Sequence, residues 1–304
     1  MNQEFLKKLT DAAGEENVLI HEPMYKHITF RVGGEAEYFV EPDSVDGICR
    51  VMKVLAEEKK VPYFVMGNGS NLLVTDEGYK GVIVKVSSKL SEVKIDKNIV
   101  YVGAGAMLTK VAKLVCEEGL TGMERISGIP GTIGGAVTMN AGAYGSEIKD
   151  IIVSARVLDI ASGQILTLDR EELKLSYRHS AIMENDYIVL DAVFELAYGD
   201  KDEIIAVMND CTAQRKSKQP LEYGSAGSTF KRPEGYFAGK LIQDAGLRGF
   251  TIGGAQVSEK HCGFVINKGN ATATDVLALI EHVQKRVFDE FGVELETEVC
   301  ILTP

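Results

Sequence analysis

The run Gly67-Asn68-Gly69-Ser70-Asn71-Leu72-Leu73 follows one short apolar stretch and leads into another. Its glycines let successive amides curl into a concave nest, and inward-facing amides bind a pyrophosphate without any net positive charge. It is not the GxGxxG dinucleotide fingerprint, because no helical pattern starts there, and taken alone it also reads as a tight β-turn. Arg178 lies between Tyr177 and His179. Its planar guanidinium matches a carboxylate with two parallel bonds, although an arginine so placed also reads as a surface ion pair. Ser228 follows Gly227, which allows its hydroxyl to stand clear of the backbone. Turn serines ordinarily serve as local hydrogen-bond partners, and the residues alone do not choose Ser228 over Ser225. Glu296 and Glu298 share one strand face, so parity does not separate them. Lys218, Lys231 and Arg232 gather positive charge around Ser228 in sequence, a place for an anionic diphosphate.

Those groups sit in an acidic chain of 304 residues with a formal charge of −11, which disfavours nucleic acid and acidic membrane surfaces as partners. Any phosphate site must therefore be local. Hydrophobic content of 45% and charged content of 25% suit a folded enzyme, and at roughly 150 residues per domain the length suggests two or three packed units. No stretch approaches the ~20 apolar residues of a membrane span. Glu4, Lys7 and Lys8 interrupt the first residues, Met1 to Lys8, so no export signal is expected and the compartment is read as the cytoplasm. Cys49, Cys116, Cys211, Cys262 and Cys300 are scattered singly, an odd number without a CxxC pair. They are expected to be reduced, buried small hydrophobes. No His, Cys and acidic residues share metal-ligand spacing, and His21, His27 and His282 are read as structural or solvated.

The positioning elements follow from periodicity. Val45, Ile48, Met52 and Leu55 form one helical face between Ser44 and Lys60, and Tyr63-Phe64-Val65-Met66 reads as a buried strand ending at Gly67. Strands are predicted at Val82 to Val86, Val93 to Asp96 and Ile99 to Val102, then a helix from Leu108 to Glu118 closing at Gly119. The glycine-rich stretch from Gly122 to Gly145 signals backbone pressed against a ligand or another backbone. Further strands are expected at Ile151 to Leu158 and Tyr187 to Leu196, with a hairpin signal at Ala161-Ser162-Gly163-Gln164. The charged tract Gly199 to Glu203 opens a new helical pattern, which puts a boundary near residue 200 and makes the last third a separate α+β unit. Its clearest element is a helix from Thr274 to Phe288, with Thr274 as candidate N-cap.

Seven segments, in order, resemble one family. They are Tyr25-Lys26-His27-Ile28-Thr29-Phe30-Arg31-Val32-Gly33-Gly34, the Gly67 to Leu73 run, and Ser127-Gly128-Ile129-Pro130-Gly131-Thr132-Ile133-Gly134-Gly135. After these come Asn140-Ala141-Gly142-Ala143-Tyr144-Gly145, Tyr177-Arg178-His179-Ser180, Ala226-Gly227-Ser228-Thr229-Phe230-Lys231 and Leu295-Glu296-Thr297-Glu298-Val299. The chain is similar over essentially its whole length to the UDP-N-acetylenolpyruvoylglucosamine reductase family, also called UDP-N-acetylmuramate dehydrogenase.

The resemblance implies an α+β fold of vanillyl-alcohol-oxidase type, with two FAD-binding subdomains and a C-terminal α+β substrate-binding domain. On this reading residues 1–85 form the first subdomain, completed by the C-terminal strand 293–304, residues 86–199 the second, and residues 200–292 the substrate domain. It also implies non-covalent FAD, NADPH as reductant and a UDP-sugar enolpyruvyl ether as small-molecule substrate, in peptidoglycan precursor synthesis. Cell-wall biogenesis, cell shape and division follow from that role, with no obligate protein partner. Gly67, Asn68, Gly69, Ser70, Asn71 and Leu72 are expected to hold the cofactor, with Ser127, Gly128, Pro130, Gly131, Thr132, Gly135, Asn140 and Gly142. Tyr144, Lys218, Lys231, Arg232 and His261 are the expected substrate contacts.

By the same resemblance Arg178, Ser228 and Glu298 are catalytic, with Ser228 the proton donor and Glu296 a solvated neighbour. The chemistry is consistent, since hydride addition to an enolpyruvyl group builds negative charge on its carboxylate and calls for a cation, then an acid. The stretch from Ser180 to Asp186 is short where one subtype carries a substrate-covering tyrosine loop, so the chain resembles the shorter-loop subtype. A related oxidase with flavin on histidine is disfavoured by the histidine-less Gly67 to Leu73 run. A non-catalytic FAD module is disfavoured by the intact set of Arg178, Ser228 and Glu298.

Overall fold

A computed structural model describes residues 3–304. Met1 and Asn2, which open the segment read as lacking an export signal, lie outside the described residues. The chain divides into two compact units: one comprises the chain through Leu19, Tyr38–Asn68 and Val82–Ala213, the other Ile20–Glu37, Gly69–Gly81 and Gln214–Pro304.

In the first unit, helix Gln3–Ala13 buries Phe5, Leu9, Ala12 and Ala13, and packs against helix Val45–Glu57. The Ser44 hydroxyl accepts from Gly47 N at 3.1 Å and so satisfies a donor that the first helical turn leaves over. Strand Tyr63–Met66 then pairs in parallel with the end of strand Tyr79–Lys85. The main sheet has five antiparallel strands, in the order Ile165–Asp169, Ile152–Asp159, Tyr187–Glu195, Ile99–Gly103, Val93–Asp96. Its central strand buries Ile188, Val189, Leu190, Ala192 and Phe194, whereas both edge strands alternate half-buried and exposed residues. That gradient fits burial worth roughly 1.5–3 kcal/mol per large apolar side chain, which an edge strand open to water on one face cannot fully collect.

The hairpin at Ala161–Gln164 closes through Asp159, whose carboxylate accepts from Ala161 N and Ser162 Oγ, with Gly163 at φ 70°. Helix Leu108–Glu117 ends before Gly119, which takes the left-handed φ of 71°. Helix Ile133–Thr138, not anticipated from the sequence, lies in the glycine-rich stretch and packs on the central strand.

In the second unit, helix Ala273–Phe291 lays Val276, Leu279, Ile280, Val283 and Val287 toward an antiparallel sheet of Thr251–Ile252, Ala255–Val257 and Val265–Asn267. The expected cap is corrected by two residues. Thr272, not Thr274, is the N-cap; its hydroxyl accepts from Asp275 N, while the Asp275 carboxylate accepts from Thr272 N. Thr274 lies inside the helix and donates its hydroxyl to Asp76 at 2.7 Å. Strand Leu72–Val74 pairs in parallel with Cys300–Leu302. Regular strand therefore begins only at Cys300, and Glu296 to Glu298 form extended backbone with a single bridge, Phe230↔Thr297.

Helix Lys201–Lys218 follows the charged tract and buries only Ile204 and Cys211. All five cysteines are free thiols, but only Cys116, Cys211 and Cys262 are buried. Cys49 is half-buried and Cys300 exposed, so the expectation of five buried hydrophobes fails at these two. Among the described residues no helix is long and apolar enough to cross a membrane.

Candidate active site

In the first unit the glycine run begins by close approach. A Cβ on Gly67 would lie 2.3 Å from Thr132 Oγ1, so only glycine lets the loop rest on that residue. Asn68 donates its side-chain amide to Pro130 O at 2.7 Å. Thr132 Oγ1 in turn accepts from Gly135 N and caps helix Ile133–Thr138. Together these contacts gather Gly67, Asn68, Pro130, Thr132 and Gly135 into one cradle. Among the described residues, the amides of Asn68, Gly128 and the buried Gly131 have no hydrogen-bond acceptor. In the second unit the same holds of the amides of Gly69, Ser70 and Asn71. Unsatisfied backbone donors are costly when buried, and the donors of the first unit, with no side chain able to enter at Gly67, fit an anionic phosphate group. Ser127 is more committed, since its hydroxyl donates to Glu124 O at 2.6 Å.

Asn140 is a buried junction with φ 41°. Its side-chain amide donates to Glu147 Oε2 at 2.8 Å and Ser176 O at 3.0 Å, and its carbonyl accepts from Lys149 N at 2.9 Å. It thereby pins the turn that carries Arg178. Ser176 and His179 exchange backbone bonds across that turn, and Ser180 donates to Thr138 O at 2.7 Å. Arg178 is half-buried at φ 54°, a strained backbone for a non-glycine residue, and its guanidinium stacks 5.1 Å from the Tyr177 ring. The Lys149 ammonium, 2.8 Å away, holds the Glu147 carboxyl below the usual range against partial burial, and Asn140 and the Arg178 charge act the same way. Gly142 meets Glu147 closely, at 2.7 Å from a notional Cβ to Glu147 Cγ. Tyr144, at φ 52°, donates its hydroxyl to Cys211 O at 3.3 Å.

In the second unit, Asn71 donates its side-chain amide to Glu298 O at 2.9 Å, and Cys300 N donates to Asn71 O at 3.0 Å. Glu298 N donates to Thr229 O at 2.8 Å. Thr229 is fully buried; its amide donates to Gly263 O at 2.8 Å and its hydroxyl accepts from Val265 N at 3.0 Å. The exposed Ser228 is therefore fixed from its C-terminal side, while Gly227 on the other side has φ 78° with open space around it. The two glutamates that parity left equivalent now differ. Glu296 is 74% exposed and takes Lys231 Nζ at 3.0 Å, whereas Glu298 is half-buried on the chain that joins Asn71 to Thr229.

His261 Nδ1 accepts from Gly263 N at 3.1 Å, which leaves the proton of the neutral ring on Nε2. Burial pushes its pKa below the ordinary histidine value, and Arg248 pushes the same way. Arg232 stacks 4.1 Å from the exposed Phe237 ring. Lys218 is exposed and donates to Gln214 Oε1 at 3.2 Å. No hydrogen bond among the described residues joins Ser228 to Lys218 or Lys231. The histidines without an expected site role have other partners: His27 lies 3.0 Å from Glu22, His21 lies 3.5 Å from Glu35, and His282 stacks on Phe250. Two residues that the sequence reading left without a role are Asp76, which holds the helix start at Ala273, and Thr29, bonded to Ser225; short polar side chains give no periodic signal.

The family model described as "UDP-N-acetylenolpyruvoylglucosamine reductase, C-terminal domain" matches residues 219–302, and one described as "FAD binding domain" matches residues 36–169. The first span contains Ser228, Lys231, Arg232, His261 and Glu298; the second contains the cradle, Asn140 and Tyr144; Arg178 and Lys218 fall outside both. The UDP-N-acetylenolpyruvoylglucosamine reductase of Agathobacter rectalis is 53% identical, with 99% of each chain covered. That of Clostridium perfringens is also 53% identical over 99% of each chain. The crystal structure of UDP-N-acetylenolpyruvylglucosamine reductase from Thermus caldophilus matches with a TM-score of 0.78 at 33% identity, covering 94% of this chain and 98% of that one. The fold is α+β, an FAD-binding fold of vanillyl-alcohol-oxidase type with a C-terminal α+β domain.

Proposed function

Because this chain belongs to the UDP-N-acetylenolpyruvoylglucosamine reductase family, we propose that it reduces UDP-N-acetylglucosamine enolpyruvate to UDP-N-acetylmuramate, with NADPH as reductant and FAD bound without a covalent link. The reaction belongs to cytoplasmic peptidoglycan precursor synthesis, and through it to cell-wall growth, shape and division. Bound FAD would supply the hydride chemistry that links NADPH oxidation to reduction of the enolpyruvyl methylene carbon.

The amides of Asn68 to Asn71, Gly128 and Gly131 are the donors that would hold the cofactor's phosphates, with Gly67, Thr132 and Gly135 shaping the cradle. Ser127, Pro130, Asn140, Gly142 and Leu72 support that loop set. Arg178 takes the substrate carboxylate in its guanidinium fork and stabilises the charge that builds there. Ser228 Oγ gives a proton to the carbon beside the carboxylate and regains one from solvent, so that one hydride and one proton saturate the double bond. Glu298 polarises the charged intermediate. Lys231, Arg232, Lys218, His261 and Tyr144 bind the UDP end and sugar.

The observation that carries this reading is the chain of bonds from Asn71 through Glu298 to Thr229, which ties Glu298, and Ser228 through its neighbour Thr229, to the proposed cofactor loop. Purified protein should be yellow and should oxidise NADPH only when the enolpyruvyl sugar is added. Colourless protein, or oxidation that ignores that sugar, rejects the proposal.

A further inference from the structure

We infer that Thr29 is a positioning residue for the proton-donating step, its hydroxyl locking the Ser225–Ser228 turn to the cofactor loop. The inference rests on the function proposed above and assigns work to a motif that function left unused. Thr29 is half-buried and forms three bonds. Its amide donates to Gly69 O at 3.2 Å, its carbonyl accepts from Ser225 N at 3.1 Å, and its hydroxyl donates to Ser225 O at 2.6 Å.

The hydroxyl bond has a physical reason. Thr29 lies in a turn that Arg31 N closes on Ile28 O, and its amide is spent on Gly69 O, so no backbone donor of Thr29 is left for Ser225 O; Thr29 Oγ1 supplies that donor. The neighbouring backbone is tight on both sides. A Cβ on Gly224 would meet Phe30 O at 2.6 Å, and one on Gly69 would meet His27 O at 2.6 Å. Asn267 N adds a bond to Gly224 O at 2.8 Å.

The turn is thus anchored at Gly224 and Ser225 on one side and at Thr229 on the other. Only Ala226, Gly227 and Ser228 lie between, and Gly227 at φ 78° has no heavy atom within 4 Å of a notional Cβ. Ala226 is buried beside the Ser225 anchor, so the freedom of the span is confined to Gly227 and Ser228, and the anchors on either side govern where the Ser228 hydroxyl stands. Loosening one anchor spreads that hydroxyl over more positions, which slows proton delivery without touching hydride uptake.

Thr29→Val keeps the branched shape and removes the donor, while Thr29→Ser keeps the donor. In stopped-flow traces of the holoenzyme, Thr29→Val should slow reoxidation by the enolpyruvyl UDP-sugar about 10-fold, from one lost hydrogen bond and the looser turn, with reduction by NADPH within about 2-fold of wild type. Thr29→Ser should restore reoxidation. Backbone deuterium uptake over residues 224–228 should rise in the valine variant and stay at the wild-type level in the serine variant. Unchanged uptake in Thr29→Val, equal slowing of both half-reactions, or equal damage by serine and valine would each overturn the inference. Wild-type protein whose NADPH oxidation ignores the enolpyruvyl sugar would instead sink the proposed function, and the uptake measurement would still decide whether Thr29 anchors the turn.

Discussion

Gly67→Ala tests whether the cradle is set by contact with Thr132 alone. Gly67 has none of the positive φ that Gly69 shows at 61°, so an alanine backbone is tolerated there and the penalty is steric. The new methyl would sit 2.3 Å from Thr132 Oγ1, about 1 Å short of ordinary contact. Relief requires Thr132 to turn away, which breaks its bond to Gly135 N and uncaps helix Ile133–Thr138. Losing the cap costs about 1 kcal/mol, and residual overpacking adds roughly 1–3, so the substitution should destabilise by roughly 2–4 kcal/mol.

Thr132→Ala alone should cost only the cap, about 1 kcal/mol. The double variant has no hydroxyl left to clash with, so it should resemble Thr132→Ala rather than the sum, with a coupling of roughly 2–4 kcal/mol. Denaturant unfolding of the FAD-free proteins measures these terms. Flavin fluorescence titration gives cofactor affinity in parallel, with each 1.4 kcal/mol read as about tenfold. Losses that simply add, to within about 0.5 kcal/mol, would refute the argument and place the strain elsewhere in the loop.

Ser228→Ala should leave flavin reduction by NADPH near normal and slow reoxidation by substrate on the order of 10² to 10⁴-fold, the usual share of a positioned acid; near-normal reoxidation with stereospecific solvent deuterium would remove Ser228 from the mechanism. Arg178→Lys keeps the charge but loses the fork, so in the same traces the substrate half-reaction should suffer more than NADPH-driven reduction. Partial burial raises the Asp76 carboxyl, but bonds from the Thr274 hydroxyl and amide and the Ala273 amide outweigh it and hold the pKa below the ordinary value. Its contribution is therefore complete above about pH 4, the unfolded value, and lost as pH falls through the lower folded value; Asp76→Asn should flatten that acid limb in equilibrium unfolding. Acid precipitation should release all yellow colour to the supernatant, and colour kept in the pellet would contradict non-covalent FAD.

Elements with a strong period were legible in the sequence because their burial is one-sided or complete. Val45, Ile48, Met52 and Leu55 gave away helix Val45–Glu57; the run Tyr63 to Met66 is the observed strand in its bounds, but it was read as buried and only Met66 is, the other three residues being half-buried. Helix Ile133–Thr138 escaped because Gly134 and Gly135 have poor helix propensity; the Thr132 cap and the packing on strand Tyr187–Glu195 override it. The cap of the last long helix was misplaced for a related reason. Thr272 and Thr274 are both acceptable caps by type, and the choice is made by Asp275, which can return a bond only to the residue three positions earlier.

The site was legible where glycine carries the signal, since a missing side chain records close approach. Gly67 against Thr132 is such a record, and no pattern of polar residues could have named Thr132 as its partner. Where the signal is a carboxylate or a hydroxyl, residue type alone was not enough. Glu296 and Glu298 are equivalent by alternation, yet one pairs with an exposed lysine while the other lies half-buried on backbone tied to Asn71 of the glycine loop. An exposed ion pair is worth about 0–1 kcal/mol, so Lys231 can leave Glu296 for a diphosphate at little cost. In the function proposed above, a substrate phosphate would take the place of Glu296 at the Lys231 ammonium.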